Sequence, residues 1–275
     1  MSVVRHLLAL SLMVLAVSAP RQSAAEAPVL SDHNPTAISL LPGWLRPDGL
    51  YVAAIEITLA PGWKTYWREP GPAGIPPQFD WSGSQNLGQI GYFWPTPTVF
   101  DTYGTRTIGY AERLILPVLL RPQNPDQPIN IHLNADYGVC EEICVPAYGE
   151  ASATLLSDAI DNKSLITDWI DRRARPGTDA GLIDVQCQLK PSGEDFILSA
   201  SLSFRAAPQA LEAVVVETSQ SNVWISQPDH RRDGTRLHIE ADLQSFENRP
   251  LLFKREALRF TLIGADTALD IRGCG

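Results

Sequence analysis

Short runs that alternate apolar and polar side chains, each ended by proline or glycine, recur along most of this 275-residue chain. Residues 50–59 alternate in this way before Pro61 and Gly62, and residues 129–135 do so again. Alternation with a period of two places the apolar side chains on one face of a half-buried strand, while proline and glycine interrupt strands. With 22 prolines and 19 glycines, the sequence therefore predicts an all-β protein built as an antiparallel sandwich.

The N-terminal segment has the layout of a secretory signal peptide. Arg5 precedes the apolar run 7–17, and the small residues Ser23, Ala24 and Ala25 follow it. A basic residue, an apolar stretch and a small-residue cleavage site predict that residues 1–25 are removed on export. No later run approaches the roughly 20 apolar residues of a spanning helix. We therefore expect no transmembrane segment in the mature chain, and a location in the periplasm.

Residues 157–177 change the period of the pattern. Ile166 and Ile170 fall on one helical face, Ser157 or Asp158 can cap the start, and Pro176 can stop the helix. Strand patterns return from about residue 180, which indicates a second β domain. The sequence thus predicts four segments: a signal peptide (1–25), a first β-sandwich domain (26–157), a short linker helix (158–178) and a second, smaller β-sandwich-like domain (179–275).

The four cysteines fall into two kinds, and the first kind is structural. In an oxidising compartment disulfides are the default expectation. A bond between Cys187 and Cys274 would close a loop of roughly 87 residues, worth about 4–5 kcal/mol in the chain-entropy model. Both cysteines lie in strand-like segments near the two ends of the second domain. We predict a structural disulfide here, which ties down a C-terminus that would otherwise fray.

The second kind lies in the stretch NADYGVCEEICVPAYGE, where Cys140 and Cys144 would close only a tiny loop. Such a bond is a poor staple, because its entropic gain is small. Strained or exposed disulfides tend to be the labile, catalytic ones. Gly138 before the pair and Pro146 after it favour a tight loop between strands. Three interpretations stay open: a redox couple, a short structural bridge, and a two-thiolate Cu(I) site.

Other kinds of chemistry find little support. A zinc site needs about four ligands, and the histidines show no paired spacing around the cysteine loop. No Ser/His/Asp set, pair of catalytic carboxylates or phosphate loop stands out, so the sequence predicts no cofactor and no metal. The net charge of −9 repels nucleic acid and anionic lipid, which makes both poor partners.

An aromatic cluster lies upstream of the cysteines. Trp63, Tyr66, Trp67 and Trp81 are closely spaced, and aromatic side chains dominate the burial of apolar surface in cores. We interpret them as the packed edge of a sandwich rather than a ligand platform. We expect the Trp-Arg-Glu run at 67–69 to scaffold the cysteine loop.

Three stretches of the sequence, taken in order, resemble the N-terminal periplasmic domain of the thiol–disulfide reductase DsbD family. They are GWKTYWREPGPAGIPPQFDW, ERLILPV and ADYGVCEEICVPA. They are closest to its ScsB-like branch, and the resemblance covers roughly residues 35–157. It implies an immunoglobulin-like sandwich with one redox-active cysteine pair. Such a domain takes electrons from a thioredoxin-like domain of a membrane thiol reductase and delivers them to periplasmic partners. The resemblance therefore favours the redox interpretation.

The resemblance also implies a role for each cysteine. Cys144, just before VPA, would form the mixed disulfide with a partner, and Cys140 would resolve it. Better-known members of the family separate their cysteines by five residues, whereas here three lie between them. Two of these are Glu141 and Glu142, whose negative charge disfavours a thiolate. We expect the reduced pair to react slowly until a partner docks.

A cap loop covers the cysteine pair in that family, and TVFDTYGTRT is the matching segment here. Tyr103 and Gly104 fit the family's Tyr-Gly, and Asp101 stands for an acidic residue before it. Thr102 occupies the position of the cap phenylalanine. The resemblance therefore leaves Phe100 or Tyr103 to cover the sulfurs.

These observations together predict a periplasmic thiol–disulfide exchange protein. Electrons would pass through the C-x-x-x-C pair to or from a thioredoxin-like protein or a membrane thiol reductase. The family's transmembrane and C-terminal thioredoxin-like domains have no counterpart in this sequence, so a separate reductant is expected. Two rivals remain: a copper-tolerance protein that uses the same thiols as ligands, and a non-catalytic interaction module with two structural disulfides.

Overall fold

The fold is that of a computed structural model, in which the described residues are 30–31, 34–102, 104–156, 162–193, 195–246 and 253–274. The predicted signal peptide at 1–25 lies outside them. The described part of the chain is all-β, as predicted, with a short α-helix near its middle. No helix within it is long and apolar enough to cross a membrane.

Ten strands are found among the described residues of the first half. In chain order they are β1 (Thr36–Leu45), β2 (Tyr51–Leu59), β3 (Lys64–Tyr66), β4 (Gln78–Asp80), β5 (Leu87–Tyr92), β6 (Thr98–Thr102), β7 (Thr105–Ala111), β8 (Arg113–Pro122), β9 (Ile129–Cys140) and β10 (Cys144–Leu155). They form two antiparallel sheets, with strand orders β1-β2-β8-β5 and β10-β9-β3-β7-β6, and β4 adds to β9.

The core of this half lies between the two sheets. Ile55 of β2, Leu116 of β8 and Leu133 of β9 have no exposed surface. Full burial of such a side chain contributes about 1.5–3 kcal/mol, and the alternation read from the sequence supplies one at every second position. The result is the immunoglobulin-like sandwich that was expected.

Nine further strands are found in the part of the second half that the structure describes. They are β11 (Arg175–Pro176), β12 (Leu182–Ser192), β13 (Asp195–Phe204), β14 (Ala213–Thr218), β15 (Val223–Ile225), β16 (Asp229–Asp233), β17 (Arg236–Ser245), β18 (Leu258–Ile263) and β19 (Ala268–Arg272), with single turns of 3₁₀ helix at Gly177–Ala180 and Arg255–Ala257. Their sheets have the orders β11-β19-β18-β14 and β12-β13-β17-β15, with β16 also paired to β17. Leu198, Leu237 and Phe260 are among the buried side chains between them.

The helix between the halves is shorter than predicted. Helix α1 spans Lys163–Asp171, whereas the sequence suggested 158–178. Its expected cap, Ser157 or Asp158, lies outside the described residues. Ile166 is fully buried against the first sheet, which holds the helix in place. Beyond the helix, Arg175–Pro176 pairs in parallel with β19, and this pairing uses backbone groups that a longer helix would need.

The two halves are in direct contact. Ala213 and Val215 of β14 join the buried cluster of the first sandwich. The Arg68 guanidinium donates two hydrogen bonds of 2.8 Å to the Glu217 carboxylate, and these side chains are only 17% and 13% exposed. A bidentate pair of this kind is strong and directional. It therefore fixes the register of one half against the other.

Candidate functional site

Cys140 and Cys144 form a disulfide at the tip of the β9–β10 hairpin. They face each other as the last residue of β9 and the first of β10, with Cα atoms 4.1 Å apart. The closely spaced pairs of an antiparallel ladder lie at about this distance. Only Glu141–Ile143 separates the two strands, so the bond closes a tip that the ladder already holds. It joins no distant parts of the chain.

The two sulfurs differ in accessibility. Cys140 is 4% exposed, whereas Cys144 is exposed. Opening of a disulfide requires a thiolate to approach one sulfur and expel the other. Of the two cysteines, Cys144 is therefore the more accessible to an approaching thiolate.

Tyr66 contacts the exposed cysteine. Its hydroxyl donates a hydrogen bond to Cys144 Sγ at 2.9 Å, although the residue as a whole is only 1% exposed. Burial raises the pKa of Tyr66, so the hydroxyl keeps its proton at neutral pH and remains a donor. A donor at this position would stabilise a thiolate on Cys144 in the reduced pair.

Gly138 makes room for that contact. A Cβ atom at this position would lie 2.6 Å from the Cβ of Ile75 and 2.8 Å from Cδ2 of Tyr66. The Tyr66 ring and Ile75 thus pack directly on the backbone of β9. The sequence suggested a loop signal at Gly138, but this residue pairs with Pro146 within the hairpin. Its function is close packing.

Lys64 occupies the position beside Cys140 on the neighbouring strand. It is the Cα partner of Cys140 in the β3–β9 ladder, which places both side chains on one face of the sheet. Lys64 is only 9% exposed, and burial lowers its pKa. Its Nζ lies 5.0 Å from the centroid of the Phe100 ring, a cation–π distance. Lys64 thus links the cysteine pair to the segment matched to the cap.

That segment forms the β6–β7 hairpin. Asp101 Oδ1 accepts a hydrogen bond of 3.1 Å from the Gly104 backbone N–H, and Gly104 has a φ of +78°, which favours glycine. Phe100 is half-buried on the face that carries Lys64. Tyr103 and the Thr102 side chain lie outside the described residues. The position of Phe100 supports its choice as the covering side chain, and the assignment of the cap stays a prediction.

The Trp-Arg-Glu run at 67–69 has a different role from the one expected. Trp67 is buried in the sandwich, and its ring stacks under the Arg68 guanidinium at 3.8 Å. Arg68 binds Glu217 of the second half rather than the cysteine loop. Burial and the Glu217 carboxylate raise the pKa of Glu69 to about 7, which Arg68 partly opposes. The run therefore contributes to the contact between the halves, and Tyr66 just before it supports the cysteines.

The second disulfide lies far from this site in the sequence and joins Cys187 of β12 to Cys274, with Cα atoms 5.7 Å apart. Cys187 is 5% exposed and belongs to the core of the second half. The bond spans a sequence separation of 87 residues. It has the long loop and the buried position of a structural staple.

The described part of the chain contains no group of three or more His, Cys, Asp or Glu side chains arranged to hold a metal ion. Trp63 and Trp81, like Trp67, are buried. These aromatic side chains belong to the core of the first sandwich and are at most 8% exposed.

The fold and the site define a class of protein: a β-sandwich domain with an accessible disulfide at the tip of a hairpin. Residues 46–156 match the family described as thiol:disulfide interchange protein DsbD, N-terminal. This part of the chain is therefore a DsbD N-terminal-type domain, and thiol–disulfide interchange is the activity of that family.

A solved structure extends the similarity to the fold of most of the chain. The N-terminal periplasmic domain of ScsB from Proteus mirabilis is 20% identical, with a TM-score of 0.65 over 90% of this chain and 97% of that one. At this identity the likeness concerns the fold. Comparison with curated proteins gives no significant match.

Proposed function

We propose that this chain is a thiol–disulfide exchange protein whose Cys140–Cys144 bond is opened and re-formed by a partner protein. The observation that carries the proposal is the asymmetric disulfide at the hairpin tip, with Cys144 exposed, Cys140 buried and the Tyr66 hydroxyl on Cys144 Sγ. The match of residues 46–156 to an interchange family supports it.

Reduction of the protein begins at Cys144. A partner thiolate attacks Cys144 Sγ, a new S–S bond forms, and the electron pair of the broken bond leaves on Cys140, which then takes up a proton. Lys64, beside Cys140 in the ladder, provides a positive charge on that face while the thiolate forms.

The partner's second thiolate then attacks the partner sulfur of the mixed disulfide. Cys144 leaves as a thiolate, which the Tyr66 hydroxyl stabilises. In sum, two electrons and two protons pass from a partner dithiol to the protein disulfide, and the partner ends as a disulfide. The reverse sequence delivers the same electrons to an oxidised partner.

The proposed partner is a thioredoxin-like protein or a membrane thiol reductase, and the proposed compartment is the periplasm. Family membership supports a thiol-redox partner in general. The similar ScsB structure is that of a periplasmic domain, and the signal layout of residues 1–25 agrees with export.

Two variants test the order of attack. Cys140→Ser leaves Cys144 as a single thiol, whose thiolate attacks the disulfide of oxidised thioredoxin: the thioredoxin–Cys144 bond forms as the thioredoxin S–S bond breaks, and the released thioredoxin thiolate takes up a proton. Because no Cys140 thiol is present to release the partner, we expect this complex to appear by mass spectrometry after acid quenching. Cys144→Ser is the matched control and should trap far less, because the remaining thiol is buried. Equal trapping by the two variants would contradict the assigned order.

Dithiothreitol distinguishes exchange from its rivals. We expect millimolar dithiothreitol to open Cys140–Cys144 in the folded protein and to leave Cys187–Cys274 intact, as read by alkylation and mass mapping. Two resistant bonds would support the non-catalytic module. Tight Cu(I) binding by the reduced pair, without exchange, would support the copper protein.

A further inference from the structure

Two exposed aliphatic side chains lie beside the accessible cysteine. Ile143 is 75% exposed and Ile75 38%. Side chains of this type are mostly buried in folded proteins, and exposed ones that lie together are typical of an interaction site. We call Ile75 and Ile143 the tip surface.

The tip surface directly borders Cys144. Ile143 directly precedes this cysteine in the hairpin loop. Ile75 packs on Gly138, next to the Tyr66 ring whose hydroxyl contacts Cys144. A protein whose sulfur bonds to Cys144 must therefore cover part of this surface.

Exposed carboxylates border the same end of the sheet. Glu141 and Glu142 lie in the hairpin loop. Glu112 directly follows Ala111, the last residue of β7. Ala111 and Cys140 both pair with Lys64, so Glu112 lies at the same end of the sheet as the cysteine pair. All three glutamates are exposed. An apolar centre with an acidic border matches a partner surface that is apolar around its cysteine and basic at its edge.

We propose that the tip surface selects a dithiol protein whose attacking cysteine lies in an apolar patch bordered by lysine or arginine. This proposal rests on the proposed function and adds the chemistry by which the partner is chosen. Docking brings the partner thiolate to Cys144 Sγ, the partner–Cys144 bond forms as the Cys140–Cys144 bond breaks, and the electron pair and a solvent proton go to Cys140.

A second copy of this chain fits the surface poorly. Two tips placed together would bring Glu141 and Glu142 of each copy against like charges, which destabilises an interface. The net charge of −9 per chain adds to that repulsion.

Cysteine peptides of one length serve as probes of the surface. One has leucines beside the cysteine and lysines at its ends, a second has leucines and glutamates, and a third has serines and lysines. Each rate of attack on the oxidised full-length protein is divided by the rate of the same peptide with the uncharged dipyridyl disulfide, which removes differences in intrinsic thiol reactivity. We expect the leucine–lysine peptide to exceed both others by about tenfold, at the low end of electrostatic steering.

Variants assign the preference to residues. In Ile143→Ser, the leucine–lysine peptide should no longer react faster than the serine–lysine peptide. In the double variant Glu141→Gln, Glu142→Gln, the leucine–lysine peptide should no longer react faster than the leucine–glutamate peptide. Ile183→Ser is the matched control, because Ile183 is 63% exposed in the second half, and it should keep both preferences. Loss of the leucine preference in Ile183→Ser as well would overturn the assignment.

The outcomes separate this proposal from the proposed function. If dithiothreitol opens Cys140–Cys144 but the three peptides react at equal normalised rates, exchange stands and the docking proposal is wrong. If dithiothreitol leaves the bond intact, both are wrong. A concentration-dependent dimer in sedimentation that Ile143→Ser abolishes would assign the surface to a second copy and overturn the proposal.

Discussion

The Tyr66 hydroxyl lies 2.9 Å from Cys144 Sγ, at the sulfur that a partner can reach. At the scale of single residues, this contact places a hydrogen-bond donor beside the exposed cysteine. The donor can stabilise developing negative charge, which the charged neighbours Glu141 and Glu142 cannot do. Cys140 is buried behind Cys144, and this burial shields its sulfur from thiols of other molecules. We therefore propose that reactivity and protection are divided between these two cysteines.

Tyr66→Phe tests that contact. We expect iodoacetamide to alkylate Cys144 of the reduced protein about tenfold more slowly at neutral pH, the equivalent of a hydrogen bond to a charged group of about 1.5 kcal/mol. The whole pH profile of alkylation should move to higher pH, which a merely structural role would not produce.

Tyr148→Phe is the control for this prediction. Tyr148 lies on the same hairpin, and its hydroxyl donates to Asn134 Oδ1 rather than to a sulfur. Its removal should leave the alkylation profile unchanged. An unshifted profile in Tyr66→Phe would show that the hydroxyl does not act on the reduced cysteine.

At the scale of secondary-structure elements, two hairpins of one sheet form the site. The β9–β10 hairpin carries the disulfide, and the β6–β7 hairpin carries Phe100. Strand β3 lies between β9 and β7 and brings Lys64 and Tyr66 to the same face. Pairing across five strands therefore assembles residues that are distant in the sequence.

Phe100→Ala tests whether the β6–β7 hairpin covers the pair. Loss of the ring removes its contact with Lys64 and opens the outer face, so dithiothreitol should reduce Cys140–Cys144 about two- to fivefold faster, the equivalent of 0.5–1 kcal/mol for a cation–π contact. The measurement is the rate of thiol appearance under pseudo-first-order conditions. Phe246→Ala, at an exposed phenylalanine of the second half, should have the wild-type rate, and an unchanged rate in Phe100→Ala would remove Phe100 from the cap.

At the scale of the whole molecule, the two halves are held together by a shared core and by the Arg68–Glu217 pair. Glu69 lies beside that pair, and its pKa is raised to about 7. The segment from Tyr66 to Ile75 thus has two kinds of contact. Its first and last residues lie at the cysteine site, and Arg68 within it binds the second half.

Glu69 makes stability depend on pH in a defined direction. Its pKa is higher in the folded chain than the ordinary 4.5, so between about pH 4.5 and 7 the folded state holds a proton that the unfolded state releases. The free energy of unfolding therefore falls as pH rises through this window. Because Glu69 is partly exposed, we expect a fall of only about 1 kcal/mol. Glu69→Gln should flatten this slope in urea titrations, and a slope equal to wild type would assign it to other groups.

The long disulfide should dominate stability. Removal of Cys187–Cys274 by the double Cys→Ser variant should lower the free energy of unfolding by about 4–5 kcal/mol, the chain entropy of its loop. The matched double variant at Cys140 and Cys144 should cost about 2 kcal/mol, because its loop is so short. Urea unfolding followed by tryptophan fluorescence measures both, and equal losses would contradict the division into structural and exchanging bonds.

The longer strands could be predicted from the sequence. Tyr51–Leu59, Arg113–Pro122 and Ile129–Cys140 are all found where alternation and prolines indicated them. Each has apolar residues at every second position on the face toward the sandwich core, so a local period suffices to reveal it. Parts of the other faces of β2 and β8 are buried as well, under helix α1. Strands β1 and β3 were not predicted, since β1 contains Pro42 and Gly43 and β3 has only three residues. Their conformation depends on partners elsewhere in the chain.

Local spacing by itself determined the β class and the short ring at Cys140 and Cys144, because period and loop length are properties of neighbouring residues. The tertiary structure alone decided which sulfur is exposed, that Tyr66 donates to it, and that Arg68 binds Glu217 across 149 residues. Such contacts depend on the register of strands that are paired over long distances. No local pattern encodes that register, since it is set by the packing of both sheets at once.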